Sequence, residues 1–291
     1  MARFDHVEVV VPGGAQLGEG PVWDAERGLL AWVDIPARLV HLTDPRSGAT
    51  RSIEVPLDVG AVALRRSGGF VAALQDGFWV IDDGPPRRIA EVPGTLEAGI
   101  RFNDGACDPD GRFWAGTMAY DQRTGAASLY RLDVDGSVHR MLDGLTIGNG
   151  LAWDASGRVM YYIDTPTHRI DAFAFDPASG SLSDRRTVVR IPPGSGAPDG
   201  MTIDAEGGLW VALWGGAAVH RYLDGNLDRV VDLPVTQPTS ATFGGAGLDE
   251  LFITSASMGL SPQQRRDQPL AGAVLRVRPG VRGVLAPPYA G

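Results

Sequence analysis

The sequence predicts an all-β fold, a six-bladed β-propeller whose four-stranded blades surround a central channel. Three observations predict it. A strand-turn-strand unit recurs six times along the chain. Glycine (39) and proline (21) are abundant and dispersed, as many short strands joined by tight turns require. No ten-residue stretch carries a helical period of apolar residues.

The repeat units begin at residues 24, 65, 108, 154, 204 and 244. They run Asp24–Asp34, Arg65–Leu74, Asp108–Thr117, Asp154–Asp164, Asp204–Leu213 and Gly244–Thr254. The common form is a strand, a turn of the D-x-x-G kind, and a strand ending in an aromatic or aliphatic run. In such a turn the Asp side chain bonds the backbone two residues on, and Gly supplies a positive φ. A spacing of roughly 40–50 residues is the period of a four-stranded propeller blade. A second hairpin follows each unit, as in Ser128–Arg140, where apolar and polar residues alternate around an Asp-Gly turn. A solenoid would need polar capping repeats, and none is evident. A closed ring removes free edges. Closure is expected from the run Val7–Val11, docked in the last blade beside Ala271–Val277. Residues 1–291 are expected to form one propeller domain.

Composition narrows the partners. The chain has 291 residues and a formal net charge of −9, with all 26 basic residues arginine. Nucleic acid and anionic membranes demand a concentrated basic face, so neither is an expected partner. The single cysteine, Cys107, allows no internal disulfide. The opening run is not patterned as a signal peptide, and no apolar run approaches the ~18–20 residues needed to span a bilayer. A cytoplasmic monomer is the expectation.

One register singles out the channel. Five residues before each turn start stand Glu19, Gly60, Asn103, Asn149, Asp199 and Thr239. The first strand of a propeller blade lines the channel, so equivalent positions converge on the axis. Four of the six carry carboxylate or amide oxygens, and each of those four is followed by Gly or Asp-Gly. Two carboxylates and two amides suit a hard divalent cation. With no His or Cys in the register, a structural zinc site is disfavoured. The plainer reading is four surface turns, which four residues in one register disfavour.

The motifs Leu17–Asp24, Arg101–Gly105, Gly116–Met118, Asn149-Gly150, Pro198–Met201 and Asp204–Val211 resemble those of the SMP-30/gluconolactonase/regucalcin family. The resemblance runs from about residue 15 to the C-terminus. It implies a six-bladed propeller holding one divalent ion and hydrolysing sugar lactones. By position it implies Glu19, Asn149 and Asp199 as metal ligands, and Arg101 and Asn103 as substrate contacts. It implies Asp199 as the group that takes and returns a proton. Some relatives have a substrate-contacting Glu after Gly116–Met118. Here Tyr120-Asp121 stands in, and Asp121 is one methylene shorter.

The expected reaction is divalent-metal-dependent hydrolysis of a small-molecule aldonolactone, such as gluconolactone or a pentonolactone, to the acid. The ion's identity is open among Ca²⁺, Zn²⁺, Mn²⁺, Mg²⁺ and Fe²⁺. The alternatives are a promiscuous esterase or phosphotriesterase on the same fold and a non-catalytic calcium-binding propeller. No G-x-S-x-G occurs to support a serine nucleophile. His41, His139 and His220 fall on repeat strands or hairpins. Trp214, followed by two glycines, is a candidate stacking platform. Residues 255–270 are the longest irregular insertion and a candidate lid over the channel.

Overall fold

The computed structural model describes residues 2–4 and 6–291. It contains six antiparallel β-sheets, each built from four consecutive strands except where the termini intervene. The blades open with the strands Gly18–Asp24, Val59–Leu64, Ile100–Cys107, Gly148–Trp153, Ala197–Ile203 and Pro238–Gly244. These six are innermost, and each packs against its two neighbours around a closed ring, the last against the first. The protein is a six-bladed β-propeller.

Ring closure takes the expected form. Glu8–Val11 is the outer strand of blade six and pairs antiparallel with Val274–Val277. An addition escaped the sequence reading: Ala2–Phe4 adds a parallel fifth strand to blade five, beside Asn226–Asp232. The short ion pair between Arg3 and Asp232 (2.7 Å) lies along that edge.

Side-chain alternation explains the packing. In a strand, successive residues face opposite sides of the sheet. In a propeller both sides face a neighbouring blade, so both are apolar. Val62 joins the cluster between blades one and two, and adjacent Ala61 joins the one between blades two and three. Six such clusters fill the six gaps among the described residues. Trp23, Trp114, Trp153 and Trp210 are buried in them.

The turn aspartates do more than shape turns. Asp204 Oδ1 accepts from the amides of Glu206 (2.9 Å) and Gly208 (2.8 Å). Its Oδ2 accepts from Trp210 Nε1 and Arg221 Nε, both at 2.7 Å. Asp108 repeats the arrangement with Trp114 and Arg112. One carboxylate thus fixes the turn and pins the core indole six residues on.

The far end of the channel is strapped. Gly283 bridges to Asp204 on blade five, and Tyr289 bridges to Arg65 on blade two, the opposite side of a ring of six. The chain between them crosses the opening. Buried Tyr289 anchors it, donating its amide to Leu64 O (2.7 Å) and its hydroxyl to Asp133 O (2.9 Å). The insertion 255–270 lies at the other end, where Ala256 bridges to Leu17. It holds the one α-helix among the described residues, Pro262–Asp267, capped by Ser261. Among the described residues no helix is long and apolar enough to cross a membrane.

Replacing Asp204 with Ala strands Trp210 Nε1 and removes the buried partner of Arg221. It should cost about 3 kcal/mol in denaturant unfolding. Asp154→Ala, whose carboxylate bonds only backbone amides and Ser156, should cost about 1 kcal/mol.

Candidate metal centre

An innermost strand presents its edge, not its faces, to the axis. A regular strand would therefore aim backbone groups into the channel and side chains into the blade gaps. All six innermost strands break this rule at one level. Their pairing shifts between Glu19 and Val22, Val59 and Ala61, Phe102 and Asp104, Gly148 and Leu151, Pro198 and Met201, and Pro238 and Ala241. Such bulges re-aim a side chain. The six register positions of the repeat coincide with them.

Two of the six are spent on packing. A Cβ at Gly60 would stand 2.3 Å from the Phe102 carbonyl carbon, so this position admits no side chain. Thr239 donates to Gly18 O (2.5 Å) and ties blade six to blade one. Glu19, Asn103, Asn149 and Asp199 remain, all buried. The glycine after Asp199 allows close approach of blade six: a Cβ on Gly200 would lie 2.2 Å from Ser240 Oγ.

A hydrogen-bonded row orients the amides. Arg101 Nη1 donates to Asn103 Oδ1 (2.7 Å) and to Phe102 O (2.9 Å). Asn103 Nδ2 donates to Gly148 O (3.0 Å) and Asn149 Oδ1 (3.2 Å). Asn149 Nδ2 donates to Thr165 Oγ1 (2.8 Å), which itself donates to Pro198 O (2.8 Å). Thr165 thereby fixes the Asn149 amide with its oxygen on the Asn103 side.

The sequence profile of the SMP-30/Gluconolactonase/LRE-like region matches residues 17–257. The chain belongs to this family. It is 39% identical to the YvrE protein of Bacillus subtilis, whose name proposes a sugar lactone lactonase, over 95% of this chain and 96% of that one. It is 38% identical to regucalcin of Xenopus laevis over 98% of each chain. The crystal structure of a calcium-binding protein, regucalcin, from Agrobacterium tumefaciens superposes with a TM-score of 0.93 at 30% identity, covering 99% of both chains.

The electrostatics of this family member single out a residue that the register did not. Asp104 is buried on the same bulge as Asn103 and accepts from Gly105 N (2.7 Å). It lines a cavity of about 390 Å³ with Trp153, Thr202 and Ser240, between the cluster and the C-terminal strap. Its adjacency to a register residue was the available signal. Burial pushes its pKa up to about 6, opposed by the Gly105 amide. Burial also raises Asp199, and the charge of Asp104 adds to this, while Asn149 and Arg101 pull the other way. Glu19 is raised by burial first, then by Asp199 and Asp104. Among the described residues none of these three carboxylates joins a salt bridge. Arg101, also buried, is the cation that bears on Glu19 and Asp199, and burial lowers its own pKa.

This donor set fits a divalent cation: buried, oxygen-only and short of positive charge. Among the described residues no three His, Cys, Asp or Glu side chains converge as ligands. The residues that would hold such an ion are two carboxylates and an amide, Glu19, Asp199 and Asn149, all buried. Arg101 does not pair with Asp104 or Asp121. Asp121 is exposed and bound to Arg123 (2.9 Å), away from the row. Trp214 is half-buried at the site end of blade five and packs against the cluster containing Leu17 and Ala256.

Raised carboxylate pKa values mean that the folded state holds protons the unfolded chain has released. In chelator, this stabilisation is present below about pH 4 and is lost as pH rises through about 6 for Asp104. Asp104→Asn keeps an acceptor for Gly105 and removes the charge. Its Tm should exceed that of the wild type at pH 8 in chelator, and the gap should close towards pH 4. Thermal melts followed by circular dichroism across that range check the sign.

Proposed function

We propose that this protein is a divalent-metal-dependent hydrolase of small sugar lactones, with gluconolactone and pentonolactones as candidate substrates. The observation that carries it is the buried, uncompensated carboxylate cluster on the axis, joined through Asn103 to an arginine on the substrate side. Pure cation storage needs neither Arg101 nor Asn103. The names of the relatives, a sugar lactone lactonase and a calcium-binding regucalcin, support the same reading.

Glu19, Asn149 and Asp199 would hold the ion. Oxygen donors suit Ca²⁺, Mg²⁺ or Mn²⁺, and the calcium-binding neighbour favours testing Ca²⁺ first. When bound, a divalent ion supplies Lewis acidity for the carbonyl and charge neutralisation for the site.

The chain's own residues do the rest. Arg101 has one nitrogen committed to Asn103 and Phe102, and its remaining donors bind the oxygens of the lactone. Asn103, held by Arg101 and Gly148, positions the substrate against the axis. Asp199 takes a proton from the attacking water as the water oxygen joins the carbonyl carbon. The carbonyl-to-ring-oxygen bond then breaks, and Asp199 returns the proton to the departing oxygen. The product is the open hydroxy acid.

Acid release from a lactone panel tests the proposal. Hydrolysis should vanish in chelator and return with at least one of Ca²⁺, Mg²⁺, Mn²⁺, Zn²⁺ or Fe²⁺. Asp199→Asn should lower kcat at least about 100-fold. Background rates for every lactone with every ion would sink the proposal, and wild-type turnover by Asp199→Asn would remove the base.

A further inference from the structure

A pair of side chains beside Arg101 has no part in the chemistry above. Tyr120 follows the second strand of blade three, Phe113–Ala119. Its hydroxyl donates to Asp58 Oδ2 at 2.7 Å, and Asp58 Oδ1 accepts from Arg38 Nε at 3.2 Å. Asp58 directly precedes the innermost strand of blade two, so the bond spans two blades at the site end of the channel. The tyrosine is 49% exposed. Its ring lies over Arg101, with 6.0 Å from the guanidinium carbon to the ring centroid. Tyr120, Arg101, Asn103 and Asn149 thus form a continuous line from the rim to the axis.

The Tyr120 ring has its polar end tied down and its body half exposed. It is well made as a contact surface. An aromatic ring offers a broad, rigid face at little cost in side-chain entropy. A cyclic sugar ester has two chemically distinct sides, a face of C–H bonds and an edge of oxygens. The rim offers both complements: the Tyr120 ring for the first and the free donors of Arg101 for the second. Asp121 does not compete for the place, since it points to Arg123.

We propose that Tyr120, held by Asp58, is the wall against which the C–H face of the substrate ring packs, and so a specificity-determining residue of the site. This rests on the lactonase reading. It favours cyclic esters with one face free of bulky substituents.

The test combines kinetics with binding that needs no turnover. Tyr120→Ala should raise KM for gluconolactone about tenfold with kcat within about threefold, whereas Tyr120→Phe, which keeps the ring, should hold KM within about threefold. A tenfold loss corresponds to about 1.4 kcal/mol. In parallel, saturation-transfer NMR on the metal-loaded protein would follow 1,5-anhydroglucitol, a sugar ring with no ester. Tyr120→Ala should weaken its binding about tenfold and Tyr120→Phe should not. Unchanged KM and binding in Tyr120→Ala, equal losses in Ala and Phe, or no binding of the ring to wild type overturns the assignment. If the wild type hydrolyses no lactone, the lactonase reading fails, and the binding arm still decides the role of Tyr120.

Discussion

The structure depends on one geometric constraint: the innermost strand of a propeller blade meets the axis edge-on. Both faces of each blade are consumed by packing against neighbours, which is what stabilises the ring. A channel built only of regular strands would therefore carry backbone groups and no chemistry. The shared bulge solves this. It costs local pairing on each innermost strand and returns a side chain aimed at the axis. Where blade crowding is tightest the position is Gly60, and where a tie between blades is needed it is Thr239. Function occupies what packing leaves free.

The second constraint is charge. Glu19, Asp104 and Asp199 are buried together, with burial as the largest cause of each raised pKa. Buried charge is tolerated when paired, and among the described residues these carboxylates have no ion-pair partner. Two buried turn acids are paired closely, Asp204 with Arg221 and Asp108 with Arg112, while buried Asp34 and Asp164 each accept from two backbone amides. The axial acids differ from these: Glu19 and Asp104 each accept from a single backbone amide, and Glu19 and Asp199 are the carboxylates of the proposed cation site.

The two ends of the channel differ for a related reason. The C-terminal segment crosses one end from blade five to blade two and is anchored by Tyr289. The other end carries Arg101, Tyr120, Trp214 and the insertion that follows Ser255. The repeat makes the six blades equivalent, and the non-repeating segments make the two faces unequal.

The sequence by itself determined the number of blades, the closing strand and the axial register, because each is a property of a repeat. A repeat superposes equivalent residues wherever the ring is closed, so Glu19, Asn103, Asn149 and Asp199 could be brought together on paper. The tertiary structure alone decided what crosses between blades. Asp104 joins the cluster because the bulge buries two consecutive residues, a feature that strict alternation conceals. Thr165 fixes the Asn149 amide from a one-turn 3₁₀ helix outside the repeat. Asp58 meets Tyr120 across two blades, while Asp121, the residue matched by position, turns outward to a local arginine. The parallel strand Ala2–Phe4 and the strap before Tyr289 follow no period. Repeats encode distance along the axis and around it. Contacts made by segments outside the repeat depend on where the chain happens to pass in three dimensions, and only the folded ring fixes that.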